Sequence, residues 1–269
     1  MEAAASIGRR IAPAKSFFEQ VGDMMILTAR TMVSAVKPPY PYGEEFIGQF
    51  LFALQLCWFP LLVSTVAFGF GAPGLQAANF LTLFGALDRL GGFFILASVR
   101  EFAPFVTAVV VAGVAGTAIT ADLGARKIRE ELDALQVLGV DPIKNLVVPR
   151  FLSLMLITGL LDIYALLFGI AGGIFAELAY NAPLGGFFAT LLNNASTTEL
   201  WGSILKCTLF GAIIAIVCSY KGMNASGGAA GVGRAVNEAV VIAFLGVFAF
   251  NYVFTQTLLA THPELQTIR

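Results

Sequence analysis

Five long apolar segments constrain this chain more than any other feature. The hydrocarbon core of a bilayer requires about 20 mostly apolar residues per helix. Segments of this kind cover about residues 46–70, 91–121, 151–180, 200–219 and 235–260. Only 12% of the 269 residues are charged, which leaves too little polar surface to coat a soluble globule of this size. The sequence therefore predicts an all-α membrane protein with about five transmembrane helices.

The basic residues indicate how these spans are oriented, because Lys and Arg near span ends are retained on the cytoplasmic side. Arg89 and Arg269 lie on one predicted side, and Arg100 and Lys206 lie within or at the edge of spans. The other twelve lie on the opposite side: Arg9, Arg10, Lys15, Arg30, Lys37, Arg126, Lys127, Arg129, Lys144, Arg150, Lys221 and Arg234. We expect a multi-pass plasma (inner) membrane protein with a cytoplasmic N-terminus and an extracytoplasmic tail over residues 261–269.

Residues 1–45 are predicted to form a cytoplasmic N-terminal element without a cleaved signal peptide. An apolar helical face contains Phe17, Val21, Met24, Met25, Thr28 and Met32. Two interpretations remain open: an interfacial helix lying on the cytoplasmic leaflet, or an amphipathic helix packed on the protein itself. Residues 75–90 are moderately apolar and predict either a half-buried helix or an early extension of the second span.

A polar loop over residues 122–150 is expected to carry a short helix. Ile128, Leu132, Leu135 and Leu138 recur at intervals of four, three and three, which is typical of one apolar helical stripe. Gly139 suits a left-handed C-cap, and the helix should end near Leu138. Such a helix either docks into a groove of a soluble partner or is a solvated connection.

Ionisable residues within predicted spans are candidates for gating or for contact with a lipid headgroup, because they are costly at membrane depth. These candidates are Arg100, Glu101, Asp162, Glu177, Lys206 and Glu238. An ion pair between spans is the structural alternative for Arg100 and Glu101, which lie at a helix interruption expected before Pro104. Lys206 has a simpler explanation, since it lies near the outer end of its span and its side chain can extend to the interface.

Small residues spaced at intervals of four in the third span include Ala165, Gly169 and Gly173. Such spacing allows close helix contact in a bilayer. It predicts either a packing seam within the chain or an interface with a second membrane subunit.

Catalysis by this chain has little support in the sequence. The single histidine, His262, offers no partner for a nucleophile and no metal site, and the three cysteines lie in apolar runs. The glycine-rich segment 227–239 lacks a P-loop ending. A net charge of −1 gives no support for nucleic-acid binding. We therefore expect no catalytic residues, no metal and no bound cofactor.

A resemblance to a known family rests on several motifs. Arg100, Glu101 and Pro104 match an Arg-Glu-x-x-Pro opening; residues 122–124 match a turn, 130–135 an E-(E/Q)-(I/L)-D-A-L element, and 139–142 a G-(V/I)-D-P close. The sequence resembles the MlaE/YrbE permeases of MCE-type ABC lipid transport systems over nearly its whole length. The variants ADLGARKIREE and GVGRAVNEAVV look most like the actinobacterial branch.

This resemblance implies a non-catalytic permease domain over residues 46–260 in an ATP-driven transporter of lipids or other hydrophobic molecules. It implies extracytoplasmic MCE proteins, a second permease subunit, and a cytoplasmic ATPase dimer that holds the ATP and Mg²⁺. The ATPase would bind the loop helix, which makes that helix a coupling helix. The coupling candidates are Arg126, Lys127, Glu130, Glu131, Asp133, Leu135 and Asp141.

The second permease is expected to be a non-identical homologue, because residues 69–85 depart from the pattern of relatives that form homodimers. A lipid path is easiest to build where two such bundles meet, and its candidate lining residues are Phe244, Phe248 and Phe254. The alternative functions are an ATP-independent channel or exchanger, which leaves the loop helix unexplained, and an intramembrane lipid-modifying enzyme.

Overall fold

The computed structural model describes residues 2–266, with the side chains of residues 18–263 and 265. This part of the chain is helical and contains no strand. Its principal helices are α1 (Glu2–Val36), α2 (Gly43–Leu83), α3 (Leu87–Ile128), α4 (Glu131–Val137), α5 (Ile143–Ala179), α6 (Leu184–Asn194), α7 (Thr197–Met223) and α8 (Gly228–Thr261). One π-helical turn interrupts α2, two interrupt α3, and another forms the start of α5. A short 3₁₀ turn, Pro263–Gln266, follows α8.

Five of these helices, α2, α3, α5, α7 and α8, are long and apolar enough to cross a membrane, which confirms the prediction of an all-α membrane protein with five spans. All but α5 extend beyond the predicted segment at both ends. Residues 75–90 form neither a separate helix nor a simple extension of the second span. The chain reverses at Gly85, whose φ of +64° suits glycine, so that the segment ends α2 and begins α3.

Close packing between helices depends on glycine. A Cβ on Gly172 of α5 would lie 2.5 Å from the carbonyl oxygen of Val66 in α2, so the two backbones could not approach with a larger residue. Gly211 of α7 meets the backbone of α5 at Leu154 in the same way. Ala165 and Gly173 are also enclosed within this chain, Gly173 by the ring of Phe94. The small residues of the third span therefore form an intramolecular seam.

Helix α1 packs on the bundle along one edge. Met24 and Leu27 are buried, and the hydroxyl of Tyr220 in α7 donates a hydrogen bond of 3.1 Å to Asp23. The neighbouring face leaves Met25 and Met32 exposed. The described part of α1 thus combines the two predicted arrangements, because one edge packs on the bundle and the neighbouring apolar face is exposed. The side chain of Phe17 lies outside the described residues.

Helix α6 was not predicted from the sequence. Its Phe187 is fully buried against Gly91 at the start of α3, where a side chain on the glycine would collide with the backbone of α6. This short amphipathic helix closes one end of the bundle, between α5 and α7.

Candidate functional site

A cluster of polar side chains lies among α3, α7 and α8, and we call it the intramembrane polar cluster. Its members are Arg100, Glu101, Glu199, Lys206, Asn251 and Thr255. Arg100 and Glu101 occupy a π-helical turn, Ser98–Phe102, inside a helix that continues through Pro104. The helix interruption expected at this pair is therefore a π-helical turn, and the helix continues through Pro104. Such turns are frequent at functional sites.

Arg100 connects α3 to the end of the bundle at which α7 begins. Its guanidinium forms an ion pair of 2.5 Å with Glu199 in the first turn of α7. It also donates a hydrogen bond to the carbonyl oxygen of Leu265, beyond α8. Glu199 is almost completely buried, and this arginine provides it with an ion-pair partner.

Lys206 is a buried member of the cluster, with 2% of its surface exposed. Its ammonium donates hydrogen bonds to the side chains of Asn251 at 3.0 Å and Thr255 at 3.1 Å, and to the carbonyl oxygen of Arg100. The expectation that Lys206 extends to the membrane interface is wrong, because three acceptors on α3 and α8 hold the ammonium inside the bundle.

Glu101 is the member of the cluster that opens to the surroundings of the bundle, since 43% of its side chain is exposed. One carboxylate oxygen accepts a hydrogen bond of 2.6 Å from Asn251, and the other accepts one of 2.9 Å from Thr255 and lies 3.7 Å from the Lys206 nitrogen. The cluster holds two cationic and two anionic groups. An amphipathic molecule at this depth would meet the carboxylate of Glu101 first.

Sequence reasoning missed Glu199, Asn251 and Thr255. Asn251 is a polar residue within a long apolar run, which was an available signal. Glu199 sits at the boundary of its predicted span, where an acidic residue is unremarkable.

The remaining ionisable candidates do not join this cluster. Glu177 of α5 is fully buried, and neither of its carboxylate oxygens has a hydrogen-bond partner among the described residues. Asp162, also in α5, accepts a hydrogen bond of 2.7 Å from Ser203. Glu238 lies at the other end of α8 and pairs with Lys221 at 2.8 Å. The sequence candidates are thus spread over separate environments.

The three phenylalanines proposed for a substrate path lie on α8 in different settings. Phe248 is exposed, with its ring 5.0 Å from that of Phe105. Phe254 stacks beside Phe250 at 5.9 Å, and Phe244 packs partly against the core. Phe248 is the member of this group that is open to the surroundings of the chain.

The loop after α3 contains the expected short helix, α4, with altered boundaries. Ile128 belongs to α3, and the chain breaks at Glu130, whose φ of +60° is left-handed. The prediction of one helix from Ile128 is wrong because this break rotates α4 relative to α3. The helix ends at Val137, close to the predicted end near Leu138, and Gly139 follows it with a left-handed φ of +77°, which confirms the predicted C-cap.

Exposed apolar residues mark the free side of α4. Leu132 is buried and attaches the helix to the bundle, and Leu135 is half-buried. Val137 and Leu138 are 88% and 76% exposed, and no other large hydrophobic residue described in the structure is as exposed as Val137. Sequence reasoning missed Val137, since it lies off the predicted stripe.

Ion pairs surround α4. Lys127 pairs with Asp133 at 3.0 Å and Arg129 with Glu131 at 2.7 Å. Asp141 accepts a hydrogen bond of 2.9 Å from the backbone N–H of Ile143 and so begins α5. Most coupling candidates therefore shape the loop itself, while Glu130 and the apolar tip of α4 remain available to a partner.

A buried arginine joins the helix ends that flank this loop. Arg150 of α5 binds Asp122 of α3 at 2.7 Å and lies 3.4 Å from Glu45 of α2. Arg126 pairs with the same Asp122 at 3.2 Å. These contacts connect α2, α3 and α5 at the ends of α3 and α5 that flank α4.

Metal chemistry finds no support in the described residues, where no group of three or more His, Cys, Asp or Glu side chains is placed to hold an ion. Cys57, Cys207 and Cys218 are buried free thiols.

Comparison with known proteins agrees with this architecture. The family model "Permease MlaE" matches residues 46–257. A probable ABC transporter permease of Synechocystis is 38% identical over 66% of this chain and 68% of its own length. A probable ABC transporter permease of Rickettsia typhi is 29% identical over 90% of this chain and 93% of its own length. The chloroplastic protein TRIGALACTOSYLDIACYLGLYCEROL 1 of Arabidopsis thaliana is 31% identical over 67% of this chain and 52% of its own length.

The function of the chain can be inferred from these matches because the family model covers most of each of the five membrane-length helices. The relatives are permeases, which are transport subunits, and the ABC transporter assignment implies an ATPase partner. The chain belongs to the MlaE permease family and is a multi-pass permease subunit of an ABC transporter.

Proposed function

We propose that this subunit moves lipids across the cell envelope together with extracytoplasmic MCE proteins. The observation that carries the proposal is the intramembrane polar cluster, which holds Glu101 partly open within an otherwise apolar bundle. A lipid has a polar headgroup and apolar chains, so a path for it needs polar contacts beside apolar walls. Paired and hydrogen-bonded charges provide such contacts without a fully exposed ion at membrane depth.

A route for the lipid is best placed between two permease subunits. Helices α2 and α8 have the smallest buried share of the five membrane-length helices. Their exposed residues, Phe248 among them, leave broad apolar faces for a second bundle. The second subunit is proposed to be a non-identical homologue.

The ATPase dimer is proposed to bind the free side of α4. Its exposed Val137 and Leu138 would fill an apolar groove, and Glu130 would lie near the rim. This places α4 and the N-terminus in the cytoplasm of a cell whose plasma membrane the five helices cross. ATP and Mg²⁺ then belong to the ATPase, and no cofactor is assigned to this chain.

A matched pair of variants on α8 tests the lipid proposal. Thr255→Val removes the hydroxyl that donates to Glu101, whereas Thr257→Val removes a hydroxyl that only bonds the carbonyl of Val253 on the same helix. Both exchanges keep the shape of the side chain. The transporter, reconstituted with its ATPase and MCE partners in phospholipid vesicles, is assayed for ATP-dependent transfer of a fluorescent phospholipid.

Thr255→Val is expected to reduce transfer about tenfold or more, since the loss of a hydrogen bond to a charged group costs about 1.5–3 kcal/mol. Thr257→Val should transfer lipid at the unaltered rate. Equal rates for the two variants would contradict a role for the cluster. Transfer that proceeds without ATP would favour an exchanger.

A further inference from the structure

An apolar groove lies where α1 crosses α7 and α8. It has a volume of about 530 Å³ and is lined by Met24 of α1, Val217 of α7 and Phe250 of α8, among others. The polar group in its wall is the hydroxyl of Thr28, which donates a hydrogen bond of 2.8 Å to the carbonyl of Met24. The volume falls within the range of about 300–1,000 Å³ that is usual for small-ligand sites.

A polar cavity of about 280 Å³ continues this groove along the same three helices. Its lining residue Gln20 directly precedes Val21 of the groove, and Tyr220 lies three residues, or about one turn, beyond Val217. The two cavities therefore follow each other along the seam between α7 and α8, with the polar one at the end where α7 meets α8.

The polar cavity contains a cation that is free to bind an anion. Lys221 is nearly buried and donates hydrogen bonds of 2.8 Å to both Gln20 and Glu238, so its charge is already compensated. Arg234 is exposed and forms no ion pair among the described residues. Its guanidinium lies beside Gly227, at the N-terminus of α8: a Cβ on that glycine would be 3.1 Å from Nη2. The first N–H groups of a helix lack intrahelical partners and favour negative charge, which reinforces the arginine.

We propose that the two cavities form one binding site for a phospholipid. The phosphate lies between Arg234 and the first turn of α8, and an acyl chain occupies the apolar groove. A helix of a second protein would match the groove but would leave the adjoining cationic pocket without a counter-charge, whereas a phospholipid matches both ends. Basic pockets between transmembrane helices are a known form of headgroup site.

This site requires only that the chain span a bilayer, so it is independent of any transported lipid. Under the proposed orientation it opens to the cytoplasmic leaflet. A bound lipid would fill the space between α1 and the bundle and so hold α1 against α7 and α8.

Photo-crosslinking tests the proposal. The full chain is placed in phosphatidylcholine nanodiscs that contain a minor fraction of phosphatidylglycerol with a diazirine in its acyl chain, and labelled residues are identified by mass spectrometry. In the unaltered protein, labelling should concentrate on the groove residues of α1, α7 and α8.

Four variants and one conservative exchange separate a specific site from ordinary surrounding lipid. Arg234→Gln should reduce groove labelling about fivefold, the effect of one basic residue near an anionic lipid surface. Arg234→Lys should retain it, and Ala249→Trp should block the groove. The controls are Arg30→Gln, which alters an exposed arginine on α1 outside the pocket, and Leu156→Trp, which adds a ring to an exposed position on α5. Both controls should label like the unaltered protein.

Labelling spread evenly over the exposed apolar faces, with no response to Arg234→Gln, would overturn the proposal. Crosslinks from groove residues to a second protein chain would overturn it as well, because another subunit would then cover the groove. If Ala249→Trp elutes as an aggregate in size-exclusion chromatography, the comparison of Arg234→Gln with Arg234→Lys decides, since both alter only an exposed side chain.

Discussion

The guanidinium of Arg150 lies 2.7 Å from a carboxylate oxygen of Asp122, and only 1% of the arginine side chain is exposed. This pair joins the start of α5 to the end of α3, and Glu45 adds the start of α2. Helix α4 lies between the two elements that the pair connects. One buried cation therefore joins three spanning helices at the ends of α3 and α5 that flank α4.

Removing Asp122 should destabilise the protein. Asp122→Ala leaves the buried Arg150 with the longer contact to Glu45 as its remaining ion pair, beside a hydrogen bond to the carbonyl oxygen of Leu146. A buried charge that loses its partner costs about 3 kcal/mol or more. The control is Glu131→Ala, which breaks the exposed pair with Arg129 and should cost less than about 1 kcal/mol. Unfolding in mixed detergent micelles measures both free energies; equal losses would show that Arg150 is not held by Asp122.

The glycine contact between α2 and α5 predicts a second stability difference. Gly172→Leu would force a side chain into the backbone at Val66 and Phe70, so we expect a sharp loss of folded protein. Gly113→Leu is the matched control, since a Cβ at Gly113 meets nothing within 4 Å. Size-exclusion chromatography in detergent compares the folded fractions, and comparable profiles for the two variants would contradict the seam.

The fold could be predicted from the sequence to the extent that it follows from local patterns. Apolar length placed the five spans, and Gly139 placed the end of α4, because each of these signals lies within one short segment. The contacts between distant segments could not be predicted this way. Lys206 looked like an interfacial residue until α8 supplied Asn251 and Thr255 as acceptors.

The coupling loop shows the same limit. Its apolar spacing predicted one helix from Ile128 to Leu138, but the left-handed residue Glu130 divides that stretch. Non-glycine residues seldom adopt this conformation, so no sequence signal marked the break. The break turns Val137 and Leu138 outward, away from the buried Leu132.

The orientation of the chain remains a prediction that labelling can test. In a variant without Cys57, Cys207 and Cys218, single cysteines are introduced at exposed positions: Gly185 and Thr261 on one side, Glu130 and Ala229 on the other. A membrane-impermeant maleimide added to intact cells should label positions 185 and 261 only, because the basic clusters hold the other two inside. Labelling at 130 in intact cells would show that the orientation is reversed or the span count different.

The free side of α4 predicts how the ATPase binds. Leu138→Asp places a charge where an apolar side chain would be buried, and loss of such a contact costs 2 kcal/mol or more at the centre of an interface, about thirtyfold in affinity. Val36→Asp alters an equally exposed apolar residue at the end of α1 and is the control. Leu138→Asp should no longer co-purify with the ATPase, whereas Val36→Asp should still do so. Retention of the ATPase by both variants would assign its binding to another surface.

The exposed face of α8 predicts where a second permease binds. Val241, Leu245, Phe248 and Tyr252 follow one another at intervals of four, three and four, which aligns them along one side of the helix. This stripe lies on a different side of α8 from Gly246 and Ala249, so a second subunit and the proposed phospholipid need not compete. Cysteines at positions 245 and 252 should crosslink to a second permease chain, whereas a cysteine at Leu167, an exposed residue of α5, should not.

The identity of that partner follows from the mass of the crosslinked species. A crosslinked product whose mass differs from twice the mass of this chain identifies a non-identical homologue, which is the expected result. A mass of twice that of the chain identifies self-pairing. A lipid route between two permeases needs a wall from each subunit. The second permease is therefore expected to cover α2 or α8, which are the least buried spans of this chain. A chain that yields no crosslink from α8 and still supports ATP-driven lipid transfer would contradict a route between two permeases.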